Sequence, residues 1–252
     1  MAVFERAMDE TSHFYKLLRD TAYEVETIVS SLKSEKDEKE SALAGLSKQK
    51  KPYPKGLRQL RDEITHQLEN QVGKKVRIDI LADVLEIPEK EELWRNAVEG
   101  YLNTQKFYLL IDPNYYQKAL RIYNQIKKDY SDFSYGLVDI GKLREREHLD
   151  PWNDSLAMKI ETDNELARSY IDYLLGRVVC CSHVDQLRKH KIAITADGMV
   201  YQGYVARPIR RELMENVFIG QRAIAIQISR LQNELREVED QLHTWEPVYM
   251  VL

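Results

Sequence analysis

Two adjacent cysteines and a nearby histidine are the most obvious side chains here that could bind a metal or react. Cys180 and Cys181 are followed two positions later by His183. Zinc sites usually use spaced pairs such as Cys-x-x-Cys, and adjacent cysteines do not suit an ordinary disulfide framework. We therefore predict cysteines buried in a strand, a reducing compartment and no metal ligand in the chain.

Glu161, Asp163 and Glu165 are the best candidates for paired catalytic carboxylates. They precede an apolar helical stretch, which favours a helix start, where the helix dipole stabilises negative charge. A phosphate-binding loop is also missing, because neither Gly73-Lys74 nor Gly141-Lys142 is followed by serine or threonine. The sequence thus predicts no catalytic residue, no cofactor in this chain and no enzymatic activity.

Two groups of basic residues could contact DNA phosphates. The net charge of -4 gives no overall attraction to nucleic acid, so any contact must come from a local patch. Such a patch would bind without sequence preference, and an ordinary solvated surface is the alternative. The predicted DNA-binding residues are Lys48, Lys50, Lys51, Lys55, Arg58, Arg61, Arg207, Arg210 and Arg211.

The C-terminal stretch from Arg210 to Trp245 carries the seam of a coiled coil. Its apolar residues recur at alternating steps of three and four, interrupted near Gln221, and charged residues fill the positions between them. Pro247 is expected to end this helix. The seam residues are Val217, Ile224, Ile228, Leu231, Leu235, Val238, Leu242 and Trp245.

The N-terminal stretch carries a weaker version of the same pattern. At ~1.5 Å per residue, stretches 4–47 and 209–245 would each reach roughly 55 to 65 Å. Similar lengths at opposite ends of one chain predict an antiparallel coiled coil, with two independent surface helices as the alternative. The N-terminal seam residues are Phe4, Phe14, Leu18, Val25, Ile28 and Leu32.

The centre of the chain repeats one order of elements twice. Periodicity predicts helix, strand, helix and strand, then the same four again, then a hairpin at Asp197-Gly198. We expect an α/β (α+β) domain with a mixed sheet and two related halves. The predicted elements are 93–102, 107–111, 115–126 and 135–140, then 166–175, 177–181, 184–190 and 192–195.

Four domains follow from these patterns. The central α+β domain covers 91–206, and the coiled-coil arms cover 1–51 and 207–252. Segment 52–90 begins with Pro-Tyr-Pro and predicts two short helices joined around Gly73. No apolar run approaches the ~18 to 20 residues of a membrane span, and no signal peptide is evident. We therefore expect a cytoplasmic protein.

Three motifs in the central domain resemble landmarks of the SMC hinge domain, in the same order and spacing. They are WRNAVEGYL at 94–102, YIDYLLGR at 170–177 and ITADG at 194–198. The Pro-Tyr-Pro segment and the sequences WRNAVEGYL and LLGRVVCC, the latter at 174–181, most resemble the MukB-like group, and within it the JetC-like SMC subunit of Wadjet anti-plasmid systems.

The resemblance implies that the hinge forms a homodimer. In the family, a glycine-rich stretch after the third motif lies at or near the dimer contact. Here that stretch retains only two glycines, so larger side chains are expected to make the contact. The implied dimer-interface residues are Gly198, Met199, Val200, Tyr201, Gly203 and Tyr204.

The resemblance also implies a longer parent protein. Its ATPase heads, with ATP and Mg²⁺, would lie at the far ends of the arms, so the chain is expected to be a fragment whose Met1 is not native. The parent would extrude DNA loops with other SMC-complex subunits, associated with the bacterial nucleoid or with plasmids. The alternatives are a MukB-like chromosome-condensation protein, a free-standing α/β enzyme, and a monomeric DNA- or partner-binding module.

Overall fold

The computed structural model describes residues 2–47, 51, 53–54, 56–130 and 135–251, and the burial of their side chains except at 2–10 and 130. Contacts along the chain separate two units. The first contains Met1–Pro52 and Ala225–Leu252, and the second contains Tyr53–Ile224. The first unit therefore brings together the two ends of this sequence.

Helices and strands alternate through the second unit, with short 3-10 turns between several of them. The helices are α1 (Ala2–Ser47), α2 (Leu57–Val72), α3 (Arg95–Leu102), α4 (Tyr116–Ile126), α5 (Ile140–Arg146), α6 (Glu165–Leu175), α7 (Val184–Leu187), α8 (Arg211–Glu215) and α9 (Arg222–Val251). The strands are β1 (Ile78–Ile80), β2 (Leu109–Ile111), β3 (Leu137–Val138), β4 (Val179–Cys181), β5 (Ile192–Thr195), β6 (Met199–Gln202) and β7 (Val205–Pro208).

Helices α1 and α9 pack together as an antiparallel coiled coil. A buried cluster joins Val25, Val29 and Leu32 of α1 to Val238 and Leu242 of α9. Residue numbers rise along α1 as they fall along α9 in the ion pairs between the helices, so the helices run in opposite directions. These pairs are Lys33–Glu246 at 3.0 Å, Lys36–Glu239 at 2.9 Å and Lys39–Glu234 at 2.7 Å. The predicted antiparallel coiled coil is confirmed.

The helix predicted from Arg210 onward is in fact two helices, α8 and α9, separated by the loop 216–221. Gly220 in this loop has a φ of 84°, a left-handed conformation that glycine adopts without steric cost. Val217, predicted as the first seam residue, lies in the loop and is buried in the second unit. The predicted helix end at Pro247 is also wrong, because α9 continues through it to Val251. A proline removes one backbone donor but keeps a φ that helices allow.

The second unit contains two separate sheets where the sequence predicted one. In the first sheet, β2 pairs antiparallel with β1 and parallel with β3. In the second sheet, β5 pairs parallel with β4 and antiparallel with β6, and β6 pairs antiparallel with β7. The α+β class, the mixed pairing and the two helix-strand-helix-strand halves are confirmed. The single sheet is corrected to one mixed sheet in each half.

Segment 53–90 belongs to the same unit as the two sheets. Leu57, Leu60, Ile64 and Leu68 form the buried face of α2, as their helical spacing predicts. The second helix predicted in this segment is instead strand β1 followed by a 3-10 turn at Leu81–Asp83. Its alternation of buried and half-buried residues is a strand period rather than a helical one.

Candidate functional site

Hairpin β6–β7, with the turn that precedes it, contains the residues predicted at a dimer contact. Gly198 and Val200 are buried within the unit, Met199 and Tyr201 are half-buried, and Gly203 and Tyr204 are exposed. Position in the hairpin therefore separates the predicted residues into those already packed inside the chain and those left on the surface.

Gly198 faces the interior of its own chain. Its φ is 87°, and a Cβ added there would overlap Met214 Sδ of helix α8. Gly100 of α3 lies under the same side chain, where a Cβ would come within 2.7 Å of Met214 Cγ. Helix α8 therefore packs tightly over both glycines. A second chain could reach Gly198 only after α8 moved.

Strand β7 is the uncovered edge of the second sheet. All of its residues are exposed, and no strand in the described part of the chain pairs with its outer side. The opposite edge, β4, is covered, because the backbone N–H of Cys180 donates to Asp154 O at 2.8 Å and Leu156 N donates to Val178 O at 2.7 Å. The open edge of this sheet is therefore β7.

The turn between β6 and β7 displays an aromatic ring. Gly203 and Tyr204 have φ values of 58° and 66°, the two positive values that a type I′ hairpin turn requires. Tyr204 is 94% exposed, and Val205 beside it is 56% exposed. Strand β7 therefore offers an open backbone edge that is flanked at its start by apolar side chains.

The basic residues do not form one described patch. Lys48, Lys50 and Lys55 lie outside the described residues. Arg58 lies over the ring of Tyr53 at 5.1 Å, Arg61 pairs with Asp62 at 2.7 Å, and Lys51 is half-buried. Arg207, Arg210 and Arg211 are exposed, and Arg211 pairs with Glu215. Of the predicted residues that the structure describes, the exposed cations are therefore Arg207, Arg210 and Arg211, in β7 and just after it.

The two cysteines lie in β4, as predicted. Cys181 is buried and Cys180 is half-buried. Burial raises the pKa of Cys180 to about 12, and burial also raises the pKa of Cys181. Both are therefore thiols rather than reactive thiolates at neutral pH. Among the described residues, no cluster of three or more His, Cys, Asp or Glu could hold a metal ion.

Gly136 and Gly141-Lys142 have the glycine spacing of a phosphate-binding loop, but not its backbone. Strand β3 lies between the two glycines, and α5 has already begun at Ile140. A Cβ added at Gly136 would meet the ring of Tyr108 at 2.8 Å, so this glycine accommodates an aromatic side chain. The segment provides no loop of free N–H groups for a phosphate.

A buried charged cluster of Arg95, Glu99 and Lys106 had no predicted role. Their exposures are 2%, 0% and 3%. Glu99 Oε2 accepts from Lys106 Nζ at 2.8 Å, while Glu99 Oε1 accepts from the backbone N–H groups of Phe218 and Ile219, both at 2.7 Å. One carboxylate thus neutralises a buried cation and also binds the backbone of loop 216–221.

The rest of the loop backbone is held in the same way. Lys106 Nζ donates to Asn216 O at 2.8 Å, and Arg95 Nη1 donates to Ile219 O at 2.9 Å. Glu86 Oε2 accepts from the backbone N–H of Gln221 at 2.8 Å. The buried side chains of Arg95, Glu99 and Lys106 and the half-buried Glu86 therefore determine the path of the chain just before α9. The motif WRNAVEGYL contains Arg95 and Glu99, but its letters gave no signal that these charges are buried.

No helix in the described residues is long and apolar enough to cross a membrane.

No protein-family model matches the sequence, and no curated protein matches it. Among solved structures, an asymmetric dimer of the Geobacillus stearothermophilus SMC hinge domain is similar at 12% identity and a TM-score of 0.46, over 91% of this chain and 94% of that chain. The Pyrococcus furiosus Smc hinge domain with an extended coiled coil is similar at 16% identity and a TM-score of 0.41, over 92% of this chain and 91% of that chain. A structure of the folded elbow of cohesin has 15% identity and a TM-score of 0.41, over 91% of this chain and 35% of that chain.

Proposed function

We propose that this chain is the homodimerisation hinge of an SMC-like protein. The observation that carries the proposal is the combination of an antiparallel coiled coil, made from the two ends of the sequence, with an α+β unit whose second sheet ends in the uncovered strand β7. The motifs at 94–102, 170–177 and 194–198 support the same family. The role is structural: the hinge joins two subunits whose arms embrace DNA.

The proposed contact is the β7 edge paired with its mate in a second copy. An open edge strand offers unpaired backbone groups, and a two-fold axis lets the same edge serve both subunits. Tyr204 and Val205 would pack across the axis, with Tyr201, Met199 and Gly203 nearby. A stable contact should bury about 800 Å² on each partner. Gly198 and Val200 would support the hairpin from inside.

Solution mass by light scattering over a concentration series tests this proposal. We expect twice the 29.6 kDa of the chain. Val205→Asp places a charge on the exposed edge and should give a monomer. Val184→Asp is the matched control, because Val184 of α7 is a valine of similar exposure, 52% against 56%. It should remain a dimer.

If the unmutated chain is monomeric at every concentration, the proposed hinge function is contradicted. A monomeric DNA- or partner-binding module is then favoured. If both variants lose the dimer equally, the dimer contact does not lie at β7. Circular dichroism of each variant would separate loss of the dimer from loss of the fold.

The proposal extends to the parent protein. An SMC-like parent would bind ATP and Mg²⁺ in head domains, extrude DNA loops and, in a Wadjet-type system, mark plasmids for cleavage by a partner subunit. A MukB-like role in chromosome condensation is the alternative. A plasmid-retention assay with the whole system separates them, since only a defence complex should lose plasmid clearance when Val205→Asp breaks the hinge.

A further inference from the structure

The seam of α1 continues through residues that are not apolar. Apart from Ile28, the buried and half-buried positions of α1 from 22 to 46 recur at steps of three and four along the helix, the spacing of a heptad seam. Two consecutive seam positions in the middle of this series are lysines. The positions are Ala22, Val25, Val29, Leu32, Lys36, Lys39, Leu43 and Leu46.

Both lysines are held by glutamates of α9. Lys36 Nζ lies 2.9 Å from Glu239 Oε1, and Lys39 Nζ lies 2.7 Å from Glu234 Oε2. Their side chains are only 33% and 17% exposed, because the aliphatic stems lie along the seam while the ammonium groups reach its edges. Hydrogen bonds from these lysines to the glutamates raise the pKa of both lysines, which therefore stay charged.

The sequence of α9 permits both pairs in one register only. A shift of α9 by one heptad in one direction puts Gln232 and Gln227 where Glu239 and Glu234 stand. The opposite shift puts Glu246 and Gln241 there. Each shift leaves at least one lysine opposite a glutamine, although pairs within α1, such as Lys39–Glu35 at 3.3 Å, would persist.

We infer that Lys36 and Lys39 select the register of the α1–α9 coiled coil. With leucine at both positions, the seam of α1 would be apolar from Ala22 to Leu46, and shifted registers would bury similar surface. A charged residue on the seam lowers stability but penalises every register that leaves it unpaired. The lysines thus give the coiled coil one alignment at the expense of some stability.

Distances between spin labels on the full 252-residue chain test this inference. Ser31 and Ser229 are exposed, lie on different helices and suit cysteine labelling once Cys180 and Cys181 are replaced by alanine. The labelled chain with both lysines in place should give one narrow distance by double electron–electron resonance. Lys36→Leu with Lys39→Leu should melt at a higher temperature and add distances displaced by about 10 Å along the axis, the rise of one heptad.

A second variant moves the glutamates without changing composition or charge. Gln227→Glu, Gln232→Glu, Glu234→Gln and Glu239→Gln together offer both glutamates one heptad earlier. The label distance should then change, because α1 and α9 shift relative to each other until the new glutamates lie opposite the lysines. Lys36→Arg with Lys39→Arg is the matched control and should keep the parent distance.

An unchanged single distance in both the leucine and the glutamate-exchange variants would overturn the inference, since apolar packing or the rest of the chain would then set the register. Helical content by circular dichroism identifies any variant whose coiled coil has unfolded. The test is independent of dimerisation, because the distance is measured within one chain after dilution of labelled protein with unlabelled protein.

Discussion

Glu99 shows how one side chain can support a long stretch of backbone. It is fully buried, yet each of its carboxylate oxygens has a donor, and two of those donors are backbone N–H groups of loop 216–221. A buried charge persists only when it is paired and hydrogen-bonded, so the loop and the ion pair depend on each other.

Replacing Glu99 should therefore unfold the loop before it affects the sheets. Glu99→Ala leaves Lys106 buried without its partner and should lower the free energy of unfolding by about 3 to 5 kcal/mol. Amide hydrogen exchange at Phe218 and Ile219 should accelerate in the same variant, while the β5–β6 amides keep their relative protection.

Glu161→Ala is the control for this change. Glu161 is an exposed partner of Lys90 at 3.3 Å, and its removal should leave the unfolding midpoint unchanged. If the amides of Phe218 and Ile219 exchange at the same rate in the unmutated chain and in Glu99→Ala, packing of Phe218, rather than the carboxylate, holds the loop.

At this scale the sequence predicted residues that follow their usual preferences. The cysteines of β4 are poor metal ligands in their spacing and are indeed placed in a strand. Arg95, Glu99 and Lys106 could not be predicted, because a single sequence gives no sign that these three charges meet in the core. Lys36 and Lys39 could not be predicted as seam residues either, because a pattern of apolar residues does not include charged ones.

Hairpin β6–β7 and the turn before it contain two glycines with different surroundings. Gly198 and Gly203 both have positive φ, but only Gly198 lies against another side chain, Met214. The pair therefore separates the cost of backbone conformation from the cost of packing.

Alanine at these two glycines should have unequal effects. The added methyl group of Gly203→Ala meets nothing within 4 Å, so this change should cost about 1 kcal/mol for its left-handed backbone. Gly198→Ala should cost more, because its methyl group displaces Met214 from α3. Chemical denaturation of both variants measures the difference.

The excess cost at Gly198 should fall when Met214 is also replaced by alanine, as a double-mutant cycle would show. Equal costs for the two glycines, or an excess that Met214→Ala leaves unchanged, would mean that α8 does not restrain the turn. Charges placed at Gly198 would for the same reason disturb α8 as well as any contact with a second copy.

Elements with strong periodicity were predicted well, whereas strand β1 and the division into two sheets were not. The helical spacing of Leu57 to Leu68 and the hairpin at Asp197-Gly198 both have the predicted form. Strand β1 was mistaken for a helix because Ile78, Leu81 and Leu85 also satisfy a helical period. The division into two sheets depends on which strand edges meet, and that is a tertiary choice that local patterns do not encode.

At the scale of the whole molecule, charge distribution governs any contact with DNA. The net charge of -4 opposes association, so any contact must come from a local patch, and we predict that the exposed arginines near β7 form it. Arg207→Glu with Arg210→Glu should weaken binding to any duplex sequence and reduce the slope of log affinity against log salt by about 2, near 0.9 for each phosphate that is no longer neutralised. Fluorescence anisotropy at several salt concentrations measures both.

Arg188→Glu with Lys189→Glu is the charge-matched control, since both residues are exposed and directly follow α7 rather than β7. Equal weakening by both pairs would indicate a general charge effect. An unchanged affinity and slope in the β7 variant would exclude Arg207 and Arg210 as a DNA-binding surface.

The pairing of the two terminal helices was the feature that the sequence predicted most directly. Two seams at opposite ends can bury their apolar faces against each other, and the ion pairs of Lys33, Lys36 and Lys39 confirm their direction. The predicted similarity in length is wrong, because α1 has 46 residues and α9 has 30. The number of helices in the C-terminal arm was not predictable, because the break after α8 is stabilised by Glu99 and Arg95, more than a hundred positions earlier in the chain.

The manner in which loop 216–221 is held has a consequence for its evolution. The charged cluster and Glu86 bind main-chain atoms of the loop, which every amino acid except proline can supply. Substitutions should therefore be tolerated at Asn216 and Gln221, whereas insertion or deletion of a single residue would move every donor and acceptor away from its partner. In related sequences the residues at 216 and 221 should therefore vary, whereas the length of the loop should stay constant.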